Sequence, residues 1–307
     1  MKIRTLDSNE WPTLAPFLHA HNVAPARCLH SHTGNTAAAY GAELATLSPD
    51  EACFIIAEPQ TACVGVMGAE FSLGSRRAWL RGPVLDATLS NDVASEVRDA
   101  LWGRLSAALP ATIERLDGFL DVSNVTGPQW YRRCGFIEQP HYFVYEAQRG
   151  PSSPTMPDNV HAVAASQHAS LLELAHLVFP SGNLTHMDLT AANNERHVLF
   201  VIADGDRVDG YVYTNIVNAN TDDAEVYIDY LVVRPDAPGR TLGRAQLQAA
   251  LSWGLAERDV SIAALTVASD NAIAQGLHAS VGFKLCATGV PMRKDGGTRS
   301  SKTINSN

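Results

Sequence analysis

The sequence is expected to fold as two α/β domains in tandem, each a mixed sheet with helices packed on it. Three observations lead there. A signature of Asn, a ring residue seven positions on and Gly-Phe four beyond that occurs twice, as Asn124, Tyr131, Gly135-Phe136 and as Asn271, His278, Gly282-Phe283, with the copies 147 residues apart. In 307 residues a repeat of that period means two similar domains, not a solenoid of short units. The stretch 148–158 holds three prolines and no apolar periodicity, so it reads as a linker. With 46% hydrophobic and 18% charged residues, the chain has enough apolar material for a core in each half. The expected division is a first domain at 1–148, a linker at 149–158, a second domain at 159–292 and a disordered polar tail at 293–307.

In the first half, apolar runs at 53–58, 63–71 and 78–84 predict strands, followed by a helix at 91–109, a strand at 116–122 and a helix ending at Gly135. The second half predicts a helix at 166–178, where Leu171, Leu172, Ala175 and Val178 fall at helical spacing, and strands at 198–203, 209–217 and 225–233 separated by turn-rich junctions. After Gly243 a helix to about 258 carries Leu247, Leu251 and Leu255 on one stripe. A buried strand at 261–267 and a helix at 271–281 follow, the latter ended by Gly282 in a left-handed conformation.

The net charge of −9 argues against a nucleic-acid or anionic-membrane surface and favours a neutral or cationic substrate. Five scattered cysteines without CxxC pairing signal neither a disulfide framework nor a cysteine zinc site, and buried reduced thiols are expected. The N-terminus lacks the basic-then-apolar pattern of a secretory signal and no run is long enough to span a bilayer, so a cytoplasmic protein, monomer or homodimer, is expected.

One segment joins these elements into a chemical pattern: Val233-Arg234-Pro235, a turn from Gly239 to Gly243, a helix, a buried strand, and the Asn271, His278, Gly282-Phe283 signature. In that order they resemble the GNAT superfamily of acyl-CoA-dependent N-acyltransferases, in the tandem arrangement of two such domains. The resemblance covers nearly the whole chain and is sharpest over 225–283. It implies acetyl-CoA as acyl donor, no metal, and an N-acetyltransferase that passes the acetyl group directly to an amine of a small molecule within a ternary complex.

The resemblance also assigns residues. Gly239, Arg240, Thr241, Leu242, Gly243 and Arg244 stand where the family's loop wraps the pyrophosphate, which seeks convergent amides at a helix start. Leu231, Val232 and Val233 stand on the strand along which pantetheine lies, with a backbone amide there polarising the thioester carbonyl. Asn271 matches a pantetheine contact, and His278 replaces the family's Tyr, the acid that protonates the leaving thiolate. Packing is the competing reading of His278, and core or interface packing is the expected role of Tyr131. Glu225 and Asp229, placed with Tyr227 and Leu231 on one strand face by period-2 alternation, are candidate bases, Asp229 first; Asp222 and Asp223 read as a solvated turn.

Pro238 and Thr241 depart from the family loop, which removes one amide donor and adds a hydroxyl. In the first half the loop is replaced by 81–91, so that domain is expected to keep the fold and lose tight donor binding. His19, His21, His30 and His32 near Cys28 lack helical i, i+4 placement, and no metal site is expected from them. The segment 179–186 is either part of an acceptor pocket or a connector. Two alternatives stay open: a catalytically weak acyl-CoA-binding or scaffold protein, and an acetyltransferase acting on a protein amine.

Overall fold

The computed structural model describes residues 1–30, 36–59, 62–150, 154–179, 189, 193–237 and 241–296. The chain divides into two compact units: unit 1 takes Met1–His141 and the segment from Gly289, and unit 2 takes Tyr142–Thr288.

Unit 1 contains β1 (Lys2–Thr5), α1 (Ala15–Asn22), α2 (Ala37–Thr46), β2 (Ala52–Glu58), β3 (Gly65–Ser72), β4 (Arg77–Leu85), α3 (Asn91–Ala108), β5 (Arg115–Asp121), α4 (Thr126–Arg133) and β6 (Ile137–Glu138). Unit 2 contains β7 (Tyr142–Gln148), β8 (His161–Ala162), α5 (His168–Val178), β9 (His197–Asp204), β10 (Arg207–Val217), β11 (Glu225–Val233), α6 (Leu242–Leu251), β12 (Ile262–Ala268) and α7 (Ala272–Ser280). A final strand, β13 (Lys284–Asp295), starts in unit 2, and its residues from Gly289 on belong to unit 1.

Both units repeat one plan. In unit 1, β1 to β4 pair antiparallel in sequence order, a helix crosses over, and β5 pairs parallel to β4. In unit 2, β8 to β11 pair antiparallel in order and β12 pairs parallel to β11. The crossover helices bury regular stripes: Ala94, Val97, Leu101 and Leu105 on α3, and Leu247 and Leu251 on α6, continued by Leu255 in the π-helical turn Ser252–Glu257. Each such leucine contributes about 2 kcal/mol by leaving water.

The last strand of each plan comes from the other half of the sequence. In unit 2, β7 pairs antiparallel to β12 and buries Tyr145 and Ala147; in unit 1, residues 289–295 pair antiparallel to β5 and bury Val290 and Met292. The units therefore do not follow the sequential division at 148 and 292. The polar tail also starts later than its composition suggested. Arg293, Lys294 and Asp295 are strand, because the alternation of Val290 and Met292 commits the segment to β5; Arg293 and Asp295 occupy the other face, while Lys294 shares the face of Val290 and Met292 and lies over the Trp102 and Phe136 rings. The tail residues 297–307 lie outside the described residues. The thiols also depart from expectation: Cys286 is exposed and the other four cysteines are half-buried.

Asp117, 8% exposed on β5, gathers three guanidinium groups. Arg77 Nε donates to it at 2.6 Å, Arg115 Nε at 2.8 Å and Arg293 Nε at 3.0 Å. It thus ties β4, β5 and β13 together. Asp117→Asn keeps the shape and removes the countercharge, and is expected to destabilise unit 1 by about 3 kcal/mol in urea denaturation; an unchanged midpoint would mean that the arginines are satisfied by water.

Candidate active site

Register decides the shape of the site. Across the β10–β11 ladder Tyr213 pairs with Tyr230 and Thr214 with Ile228, so Asp229 is an extra residue, a β-bulge. The Thr214 hydroxyl donates to the Tyr227 carbonyl at 2.7 Å and pins the distortion. The parallel ladder between β11 and β12 runs from Glu225 with Ile262 to Ile228 with Leu265 and stops there. Beyond it, β11 stays with β10 while β12 continues beside β7 as far as Ala268. Two parallel strands part at the bulge.

The backbone facing this gap follows from alternation. The Arg234 N–H donates to the Asp209 carbonyl at 2.7 Å, so residue 234 points toward β10, as does 232. The polar groups of Leu231 and Val233 therefore point the other way, to the side that β12 has left. Gln246 of α6 fixes the strand from the helix side, donating to the Val232 carbonyl at 3.1 Å.

The bulge also corrects one sequence expectation. Alternation put Leu231 on the face of Glu225, Tyr227 and Asp229; the extra residue shifts the phase. Leu231 pairs with Val212 and packs into the core beneath α6, while Tyr230 pairs with Tyr213 and joins the face of Tyr227. That face carries Glu225, Tyr227, Asp229 and Tyr230 from β11, Asn215 from β10 and Thr266 from β12, and Phe179 at the end of α5 lies 5.4 Å from the Tyr230 ring. Asn215 Nδ2 donates to Asp229, and Tyr227 Oη lies 3.2 Å from Thr266 Oγ1.

Asp229 is open to solvent yet surrounded by protein mass. This surrounding raises its carboxyl to about 7, against the hydrogen bond from Asn215, which favours the charged form. Half-buried Glu225 is raised to about 7 by desolvation, then by the carboxylates of Glu146 and Asp223. Both are bases poised near neutrality. Exposed Cys286 is the opposite case: burial of its thiol by surrounding protein and the nearby Glu146 push it up to about 12.

At the start of α6, Thr241 is the N-cap and its side chain makes no capping bond, so among the described residues the first amides of the helix have no side-chain acceptor. Gly243 is buried: a Cβ there would sit 2.9 Å from Leu277 Cδ2, so this glycine also permits α6 to approach α7. Exposed Arg244 donates to the Ser280 carbonyl at 3.1 Å. Pro238, Gly239 and Arg240 lie outside the described residues, as do residues 180–186 of the expected acceptor segment.

The twice-repeated signature resolves into a helix with both ends capped. Asn124 Oδ1 accepts from the Gly127 N–H at 3.0 Å, and Asn271 Oδ1 from the Ala274 N–H at 3.1 Å. At the other end Gly135 and Gly282 have φ of 84° and 99°, Phe136 N–H donates to the Tyr131 carbonyl at 3.0 Å and Phe283 N–H to the His278 carbonyl at 3.2 Å. These are Schellman bonds. Their usual apolar contact is present too, as Tyr131 against Phe136 (4.9 Å) and His278 against Phe283 (6.0 Å).

His278 is thus placed by packing, 4% exposed, with Tyr145 6.0 Å away and Nδ1 buried without a partner among the described residues. Tyr145 pairs with Leu265, and both lie in the α6-side core, opposite the face of Tyr227 and Glu225. Desolvation lowers its pKa to about 4, so the imidazole is neutral at pH 7. The structure therefore places Glu225 and Asp229 on one face of β11 and leaves His278 apart from them.

Of the N-terminal histidines, His30 lies 3.1 Å from Asp121 and His21 Nδ1 accepts from the Ala87 N–H at 3.1 Å; His32 lies outside the described residues. Among the described residues no helix is long and apolar enough to cross a membrane.

Antiparallel strands lead to a bulge, a parallel pair opens there, and a crossover helix joins the two parallel strands. Residues 168–283 match the model of the Acetyltransferase (GNAT) family, and the whole chain is similar in fold to solved GNAT proteins, one of them a tandem GNAT protein. It is similar in fold to a GCN5-related N-acetyltransferase from Sphaerobacter thermophilus, at 17% identity and TM-score 0.67, over 96% of this chain and 95% of that one. It is also similar to a tandem GNAT protein from the clavulanic acid biosynthesis pathway, at 14% identity and TM-score 0.63, over 97% and 99%. An acetyltransferase from the GNAT family of Colwellia psychrerythraea gives 12% identity and TM-score 0.57, over 96% and 100%. No match is found among curated proteins.

The packing of His278 makes a pH-dependent prediction. Its folded pKa lies below the ordinary value of 6.5, so the folded state binds fewer protons than the unfolded one, and stability is lost as pH falls from about 6.5 toward 4. His278→Leu is expected to flatten that dependence in urea denaturation, and His278→Ala to cost about 2 kcal/mol through the cavity it leaves. A His278→Ala protein with an unchanged melting temperature and depressed turnover would instead make the residue the acid.

Proposed function

We propose that the protein transfers an acetyl group from acetyl-CoA to an amine of a small, preferably cationic molecule, by direct attack within a ternary complex at the parted strands of unit 2. The observation that carries this reading is the juxtaposition of outward-facing backbone at Leu231 and Val233 with two carboxyl groups poised near pH 7. An extended pantetheine arm adds to β11 as a strand would, replacing the ladder that β12 abandons. An amide of that stretch polarises the thioester carbonyl without needing a side chain. The pyrophosphate seeks the uncapped start of α6, where Thr241, Leu242, Gly243 and Arg244 supply amides and one cation.

The acceptor ammonium meets Asp229, with Glu225 further along the same face of β11. Asp229, reached by solvent, takes the ammonium proton directly or through one water. The neutral amine attacks the thioester carbon, the C–N bond forms as the C–S bond breaks, and the second proton shed by the amide nitrogen passes through water to the leaving thiolate. His278 is not used. Tyr227, Tyr230 and Phe179 supply aromatic walls that suit the apolar part of a cationic amine.

Because the base must be deprotonated, kcat/KM is expected to rise with pH and level off above about 7. Asp229→Asn keeps the shape and the amide contact with Asn215, and is expected to lower kcat by about a hundredfold or more while leaving acetyl-CoA affinity intact. Acetyl-CoA turnover with a panel of amines, with calorimetry on the same variant, checks both. A pH-independent rate with full activity in Asp229→Asn would assign proton removal elsewhere.

A further inference from the structure

Unit 1 has the same parted strands with a different lining. The β4–β5 ladder covers only Arg77 to Trp79, and a bulge in β4 sits at Gly82 and Pro83, opposite Met67. The Asp86 N–H donates to the Val64 carbonyl, so residues 83 and 85 face the gap, as 231 and 233 do in unit 2. Position 83 is proline, which has no N–H to offer. The Tyr131 hydroxyl is committed to the Gly82 carbonyl at 2.5 Å. Strand addition by a pantetheine arm loses its first donor here.

What remains is a cavity of about 260 Å³ with apolar walls at Leu29, Leu89 and Leu120 and charged groups Arg27, Arg98 and Asp86. Asp86 is occupied locally, accepting from the N–H and hydroxyl of Thr88, both at 2.8 Å. Arg98 is half-buried in the wall, and among the described residues its guanidinium has no hydrogen bond or salt bridge; Arg133 repels it and Asp99 attracts it at longer range. A guanidinium taken from water without a partner is unfavourable, and burial pushes its pKa down accordingly. Two arginines against one aspartate leave a single net positive charge, which matches a monoanion better than a phosphate dianion. The volume falls below the range that holds drug-sized ligands, so the molecule is small.

We propose that the cavity of unit 1 binds a small organic carboxylate, its anion held by the Arg98 guanidinium and its apolar stem packed on Leu29, Leu89 and Leu120. The planar guanidinium fits a carboxylate by two parallel hydrogen bonds.

The test is ligand-observed NMR on the full chain with one equivalent of acetyl-CoA, using sodium butyrate as probe and inorganic phosphate as control. Butyrate is expected to bind the wild-type chain and to weaken by about tenfold or more in Arg98→Gln. It should also weaken in Ala94→Leu, which fills the cavity and keeps the charge. Circular dichroism and the affinity of unit 2 for acetyl-CoA should match wild type in both variants, which separates loss of the site from loss of the fold. Absent wild-type binding, or equal binding in Arg98→Gln, overturns the proposal. So does phosphate binding as tightly as butyrate, or displacement of butyrate by a second equivalent of acetyl-CoA, which would make the cavity a second donor site.

Discussion

Asp229 has no partner across the β10–β11 ladder, and the parallel ladder from β11 to β12 ends one residue before it. Most of what unit 2 can do chemically follows from that extra residue. It ends the parallel pairing, turns Leu231 into the core and Tyr230 out of it, and leaves the backbone of Leu231 and Val233 facing a gap. It also carries a carboxylate whose pKa the surrounding protein raises while solvent still reaches it. A regular strand would pair its full length and offer neither the open backbone nor the poised base.

The bulge was not legible in the sequence. Glu225 to Val233 reads as an unbroken alternating strand, and a bulge is set by cross-strand neighbours such as Thr214 that no local pattern reveals. The crossover helices and their leucine stripes were legible, because helical periodicity is local. The repeated signature was legible as two similar halves with a left-handed Gly282 ending the last helix; its Asn cap and Schellman bonds were not. Its spacing is that of an Asn-capped helix ending in a Schellman turn, and the ring at the seventh position packs on the Phe beyond the Gly. Capping and packing account for Asn271 and His278 in this structure, whereas the resemblance gave them donor and acid roles. The exchange of β7 and β13 was hidden for a topological reason: pairing of residues 148 and 262, or 117 and 293, leaves no trace in either segment alone.

The titrating groups of unit 2 act on stability with opposite signs. His278, lowered to about 4, makes the fold more stable as pH rises from 4 to 6.5. Glu225, raised to about 7 from the usual carboxylate range, binds more protons folded than unfolded over the interval from about 4.5 to 7, and makes the fold less stable as pH rises through it. The overlap of the two windows flattens the net dependence below pH 6.5. Above it only the carboxyl effect remains, so the conditions that create the base are those in which the fold bears the desolvated charge.

The two units show how little must change to redirect such a frame. Each has four antiparallel strands, a bulge, a parted parallel pair and a doubly capped helix. In unit 2 the position three residues before the cross-strand bond of Arg234 is Leu231, with an amide; in unit 1 the position three residues before that of Asp86 is Pro83, without one. Unit 1 also caps its crossover helix with Ser90, which accepts from the Val93 N–H, where Thr241 leaves α6 uncapped by its side chain. Its Tyr131 is buried and bonded to Gly82. Loss of a strand-facing donor, of open helix amides and of a free hydroxyl each removes a different part of donor recognition, and the cavity left among α3, α4, β4 and β5 retains its shape and a charged arginine. Selection for the packing of unit 1 alone would be expected to fill that space or replace the charge. Their coexistence at one place is what a distinct ligand for unit 1 explains.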